Sequence, residues 1–429
     1  MTEGDRSNAG EGPRVTLARG NPRGMTEGDR SNAGEGPGVT LARGNPRGMS
    51  EGDRQRARPR GFTLVELMVA LLVSSLLVGM ILAIFSRMSI AYRGQQQIAG
   101  VQQVLAAARA AIEFDAKQAG LGVADGFQTP FTGTSLISPV TVVDSSAGPD
   151  QVAFFYADTS TQAVIFDDAS AFPTLNVDIV DGFAPGDLIV LSKANTSTLG
   201  LQSGEAHLTT YTACAFQIDP GPNSVTAGVP PTVPGTLRVA TTGSWGALAS
   251  YCSALMKKGV MVYKFVAHGY RINATTPALA AVGVLEQSTN GGLLGPADTW
   301  SVLAHGFSDL QTALRVYQAN AAVDADGDGD VKRDWFSGNN QDALTAAPLP
   351  VPAPGLLQIS ISLVAHTDRA VEGIATSQTP SLTAANADNN PLGDHPSVAL
   401  PSANPLFPGQ RIYRYITFQV DFRNLGVGR

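Results

Sequence analysis

Hydrophobic positions are spread very unevenly along the chain. From Phe62 to Phe85 it reads FTLVELMVALLVSSLLVGMILAIF, 24 residues in which Glu66 is the only charge. At 1.5 Å per residue a helix of this length covers about 36 Å, against about 30 Å for a hydrocarbon core. The pattern predicts a membrane-crossing helix. Arg54, Arg56, Arg58 and Arg60 precede it, and the positive-inside bias puts that side in the cytoplasm and the rest of the chain beyond the inner membrane. The apolar run Leu67–Phe85 exceeds the core of about 7–15 residues in a cleaved secretory signal.

After Arg87 the pattern turns from continuous to periodic. Ile98, Val101, Val104, Leu105, Ala108 and Ile112 recur at three- and four-residue spacing in an Ala-, Gln- and Arg-rich stretch, which predicts that the helix continues with one apolar stripe. Gly94 and Gly100 oppose it, each by about 1 kcal/mol relative to Ala, and Gly120 is the expected C-cap. The whole helix would hold some 58 residues and run about 87 Å. Its outer stripe needs a packing partner, and the domain that follows is the simplest one.

Past Gly120 the expected strands are Val140–Val143, Val152–Tyr156, Leu188–Leu191, Met261–Val266, Leu357–Val364 and Ile412–Phe422. Pro-, Gly-, Ser- and Thr-rich connections lie at 217–236, 346–355 and 377–408. The expected fold is α+β: a long N-terminal α-helix, membrane-spanning in its first half, packed on an antiparallel β-rich head with large loop insertions. The expected divisions are 1–48, 49–61, 62–86, 87–120 and 121–429.

Composition narrows the function classes. The 429 residues carry a net charge of −7, with 15% charged residues, 46 Gly and 27 Pro, against the usual ~25% charged. Residues 62–429 hold 18 Lys and Arg against 28 Asp and Glu, a net of −10, so bulk charge gives no case for nucleic acid. Two Cys exclude a disulfide-dense scaffold and a Cys-rich zinc module. His207, His268, His305, His366 and His395 show no short spacing suited to a shared metal.

Residues Met1–Gly24 recur as Met25–Gly48 with one change, Arg14 to Gly38, and Met49 opens a third, diverging copy. Val15, Leu17, Val39 and Leu41 are the only apolar side chains there besides Met, so the repeat cannot bury a core. Met49 is the expected start, with 1–48 an upstream extension or a disordered tail.

Glu66 is the sharpest single feature, because an ionisable side chain in an apolar span costs about 2.5–3.5 kcal/mol near the bilayer centre and less toward an end. It belongs to the string Arg60-Gly61-Phe62-Thr63-Leu64-Val65-Glu66-Leu67. That string resembles the processing site of type IV prepilins. The resemblance implies cutting after Gly61 by a membrane peptidase, N-methylation of Phe62 by the same enzyme, and an assembly role for Glu66. In that role the carboxylate of one subunit neutralises the new amine of its neighbour in low dielectric. A start at Met49 leaves a 13-residue leader, 49–61.

The blocks DQVAFFYAD, PGDLIVLS, VYKFVAHGYRI, VLAHGFSDLQTALRVY and YRYITFQVDFRNLG together resemble minor pilins of the PilW family. That resemblance implies a non-enzymatic minor pilin that primes assembly or caps the pilus tip. Its implied partners are prepilin peptidase, other minor pilins, the major pilin, the inner-membrane assembly platform and the membrane. Its implied location is the inner membrane as a single-pass protein with an exported head, then the pilus. A minor pseudopilin of type II secretion and a membrane-anchored Ca²⁺-dependent adhesin or enzyme are the rival readings.

Two further groups have chemistry of their own. Asp324, Asp326, Asp328, Asp330 and Asp334 alternate on a Gly-rich stretch, and convergent carboxylates suit a structural Ca²⁺. In an EF-hand register from Asp324 the twelfth position is Trp335, so the bidentate Glu is missing. A register from Asp326 places Asp326, Asp328, Asp330 and Asp334 at positions one, three, five and nine. A solvated acidic turn is the alternative. Cys214 and Cys252 are expected to bridge in an oxidising compartment, the alternative being two separate buried thiols. No G-x-S-x-G, H-E-x-x-H or P-loop occurs. Glu286 and Asp309 read as solvated acids in loop or helix contexts. Ile412, Tyr413, Tyr415 and Phe418 read as a half-buried strand.

Overall fold

The structure, a computed structural model, describes residues 61–123, 126–129, 136–145, 149–168, 170, 172–195, 210–228, 235–242, 252, 255–273, 283–293, 298–317, 329–330, 332–336, 355–367 and 411–422. The chain divides into two compact units, Met1–Leu72 and Val73–Arg429.

Helix α1 covers Leu64–Gln118, 55 residues without a proline. It ends two residues before the expected cap, and Gly120 follows at φ 85° and Gly122 at φ 73°, a left-handed backbone that halts the helix. A Cβ on Gly122 would sit 2.8 Å from the Ala157 Cβ, so this exit also needs a residue without a side chain for close packing. Among the described residues α1 is the one helix long and apolar enough to cross a membrane.

Among the described residues fourteen strands follow: β1 (Val140–Val143), β2 (Gln151–Val164), β3 (Thr174–Val177), β4 (Leu188–Asn195), β5 (Thr210–Gln217), β6 (Val225–Thr226) and β7 (Gly235–Arg238). Then come β8 (Met261–Asn273), β9 (Val284–Ser288), β10 (Trp300–His305), β11 (Phe307–Tyr317), β12 (Arg333–Phe336), β13 (Leu356–His366) and β14 (Tyr413–Asp421). They form three sheets, in which the named strands all pair antiparallel. The first has the order β1-β2-β8-β4-β5, with β9 on β8 and β10 on β9. Strand β8 is long enough to pair β2 along one edge while its other edge serves β4 at Met261–Lys264 and β9 at Gly269–Asn273. The second sheet has the order β12-β11-β13-β14 and the third β3-β7-β6.

The main core explains why the helical stripe is where it is. Val101, Leu105, Ala108, Ile112, Ala116 and Ala119 of the helix and its exit pack with Val152, Phe154 and Ile272 of the first sheet. The same cluster holds Leu310, Leu314, Ile359, Ile361, Leu363, Phe418 and Val420 of the second. Each fully buried side chain of this kind stabilises the fold by about 1.5–3 kcal/mol. On the other face of the first sheet, Ala153, Phe155 and Ala157 join Val123, Phe127, Val190 and Phe265 in a separate cluster. The first sheet is therefore covered on both faces, which is why VAFFYA is a continuous apolar run and not an alternating one. A third cluster lies around the third sheet and includes Cys214 and Cys252. These two form a disulfide with Cα atoms 6.1 Å apart.

Asp150 joins the first sheet to the second. Its amide donates to the Leu310 carbonyl at 2.8 Å, and its Oδ2 accepts from the amide and the hydroxyl of Thr312, each at 2.8 Å. Its Oδ1 accepts from the Ser145 amide at 3.1 Å. Burial, with the Asp144 carboxylate adding repulsion, pushes the Asp150 carboxyl up to about 8 against the opposing hydrogen bonds.

Two acids differ from their expected settings. Glu286 is on β9 and Asp309 on β11, and both are buried. Glu286 accepts from Arg271 at 3.0 Å and Asn273 at 2.7 Å on the adjacent β8. Asp309 accepts from Gln311 at 3.0 Å. Partners on their own sheets allow these carboxylates to leave water. The expected connection 217–236 also contains β6 and the start of β7. Strand β14 has the expected half-buried character, with Phe418 buried and Tyr415 exposed.

Candidate functional site

The first turn of α1 holds the candidate site. Residues 61–63 precede the helix without regular structure and are exposed. A Cβ on Gly61 would meet nothing within 4 Å, and no positive φ is required there. Among the described residues no packing therefore imposes the glycine, and Gly61 and Phe62 are both exposed.

Thr63 is the N-cap. The Glu66 amide donates to Thr63 Oγ1 at 3.3 Å, while Glu66 Oε2 accepts from the Thr63 amide at 3.0 Å and from the Thr63 hydroxyl at 3.0 Å. The first helical bond, from the Leu67 amide to the Thr63 carbonyl, is 3.2 Å. This reciprocal pair is a capping box, satisfying donors that the first helical turn leaves without partners. Its sequence signal is Thr-x-x-Glu before an apolar run, present at Thr63–Glu66. The negative side chain also sits at the positive end of the helix macrodipole. Both carboxylate bonds fall on Oε2, and among the described residues none falls on Oε1.

The arrangement can perform two tasks. Hydrolysis between Gly61 and Phe62 would release an amine directly before the cap. Glu66 would then hold a carboxylate one helical turn from that amine, able to act as a cap and as a counter-charge. The side chains from Phe62 to Phe85 are exposed, as a segment that meets lipid or other helices requires.

The other predicted site residues fall elsewhere. Asp324, Asp326 and Asp328 lie outside the described residues. Asp330 Oδ1 accepts from the Lys332 amide at 3.1 Å, and Asp334 is buried on β12 opposite Val316 of β11. Among the described residues no group of three or more His, Cys, Asp or Glu side chains is placed to hold a metal ion. Cys214 on β5 and Cys252 stand in the head, in a cluster separate from the one that packs α1.

Comparisons with known proteins bear on the same turn. Residues 56–82 match the profile of the prokaryotic N-terminal methylation motif, which contains Gly61, Phe62, Thr63 and Glu66. None of the curated proteins matches the chain. Among solved structures it is similar to a type IV-like pilin from Thermus thermophilus, at 10% identity over 76% of this chain and 97% of that one, with a TM-score of 0.28.

Proposed function

We infer that the chain is a type IV prepilin, cut between Gly61 and Phe62 by prepilin peptidase, N-methylated on Phe62, and then assembled as a minor pilin. The methylation motif on the capped first turn of a 55-residue apolar-then-amphipathic helix carries this reading. Before assembly the chain sits in the inner membrane with its head exported. During assembly the apolar half of α1 leaves lipid for the company of other subunits' helices, and Glu66 meets a neighbour's amine. A head of this size, with three sheets and an acidic balance, suits a subunit that primes the fibre or caps its tip, in the manner of PilW-like minor pilins. Contacts of this kind are heterologous and open-ended, so they extend a fibre.

The test is the intact mass and N-terminal sequence of the protein recovered from cells with and without prepilin peptidase. A mature chain beginning at N-methylated Phe62, seen only with the peptidase, is expected. An uncut chain, or one cut elsewhere regardless of the peptidase, would overturn the reading.

A further inference from the structure

Between Phe85, where the apolar run ends, and Gly94, the first buried position of α1, lies the stretch SRMSIAYR. Every residue in it except Ile90 is exposed, Tyr92 to 63%. Its charge is of one sign. Arg87 and Arg93 stand in a run from Leu67 to Ile112 that contains Arg109 as its third arginine and no Asp, Glu or Lys. Residues 62–429 as a whole have a net charge of −10, so this stretch is a basic exception in an acidic chain. Among the described residues neither Arg87 nor Arg93 takes part in a salt bridge. Both stand on the exported flank, where the positive-inside bias works against basic residues.

Helix geometry spreads these side chains around the axis. At about 100° per residue, Tyr92 is turned about 140° and Arg93 about 240° from Arg87. The three divide the circumference nearly into thirds, within about 9 Å of rise. The headgroup layer is about 5–8 Å deep on each side of a hydrocarbon core, so the three occupy it once the apolar run has crossed the core. A protein neighbour would be met on one face. The α1 of a second copy offers no carboxylate between Leu67 and Ile112, so it would set guanidinium against guanidinium. A lipid layer surrounds the helix and presents phosphates, which a guanidinium binds through two parallel N–H donors. A tyrosine at that level keeps its ring at the acyl boundary and its hydroxyl among the headgroups.

We propose that Arg87, Tyr92 and Arg93 form a collar that binds the phosphates of anionic phospholipids in the leaflet from which α1 emerges. The collar sets the depth of α1 in the bilayer, and a subunit leaving the membrane gives up these phosphates. It rests on the reading of α1 as a span of the inner membrane, and not on cleavage after Gly61.

The experiment uses the full chain in detergent micelles with R54Q/R56Q/R58Q/R60Q as the background, which removes the basic residues of the opposite flank. Native mass spectrometry then counts phosphatidylglycerol and phosphatidylcholine bound per chain as each is added. The background chain should prefer phosphatidylglycerol. R87Q and R93Q should each weaken its binding about fivefold, the equivalent of about 1 kcal/mol per basic side chain at an anionic surface, and leave phosphatidylcholine unchanged. Both arginines are exposed, so their loss leaves the core of the head intact. Equal affinities for the two lipids in the background, or a preference that survives R87Q/R93Q, overturn the collar. Carbonate extraction of vesicles holding the unaltered chain tests the span separately. A chain that carbonate releases overturns the span and the collar together, whereas a retained chain without lipid preference overturns the collar alone.

Discussion

Thr63 and Glu66 cap the first turn of α1 for each other, the hydroxyl of one and the carboxylate of the other both acting within 3.3 Å. An acid that a membrane span would otherwise expel thus has a partner inside its own chain. The capping and assembly roles of Glu66 can be pulled apart. E66Q keeps the cap, since Gln serves at this position of a capping box, but removes the charge. The first-turn amides should retain their hydrogen-exchange protection while surface pili counted by electron microscopy are lost. Pili at normal numbers would mean that the charge is dispensable.

Thr63 can be tested on its own. T63A should cost about 1 kcal/mol at the helix start, read as roughly fivefold faster exchange of the amides at 64–67 in micelles. T63S, which retains the hydroxyl, should restore the slow rate.

Asp150 sets a pH dependence with a definite sign. Folded, it holds its proton up to about pH 8, whereas an unfolded Asp releases it near pH 4. Across that window the folded state binds the extra proton, so stability falls as pH rises from about 4 to about 8 and levels off above. Urea midpoints at pH 5 and pH 8 should differ in that direction. D150N, which cannot ionise, should shrink the difference.

Two glycines should respond in opposite ways. G100A adds a methyl group to a helical position with nothing within 4 Å, and is expected to stabilise by about 1 kcal/mol. At Gly283, with φ +66°, a Cβ would fall 1.8 Å from the Phe307 carbonyl oxygen, so G283A should destabilise by about 3 kcal/mol. Thermal unfolding of the two variants side by side gives both signs.

The Cys214–Cys252 bridge has a sequence separation of 38, and closing a loop of that size is worth about 2–4 kcal/mol. Unfolding with and without reductant should show a loss of that order, and C214S/C252S should make the two curves coincide.

The helix and the acid at its start were legible because a continuous apolar run and a three-to-four spacing are strong local signals. Six strands were also readable where β-branched and aromatic residues concentrate, as at Val140–Val143 and Met261–Val266. Strands β9, β11 and β12 were not, because their sequences mix charge with apolar residues and owe their burial to neighbours far along the chain. Glu286 is the clearest case, made acceptable inside the head by Arg271 and Asn273. Asp115 of α1, which accepts from the Tyr156 and Tyr270 hydroxyls, escaped notice for the same reason. Nothing near it in sequence announces two tyrosines and a histidine 41 to 155 residues downstream. The Asp324 to Asp334 series was legible as a motif, but only Asp330 and Asp334 lie within the described residues.

The order of synthesis gives the packing of α1 a further consequence. Its stripe leaves the ribosome first, yet Phe418 and Val420 of β14, which share its core cluster, come some 300 residues later. Until that strand arrives, the core cluster on α1 lacks Phe418 and Val420, and one edge of β13 stays unpaired. Contacts so distant in sequence close slowly, so the head cannot finish as it emerges. A chain cut short before β14 should therefore be a substrate for chaperones and proteases rather than a smaller working version of the protein.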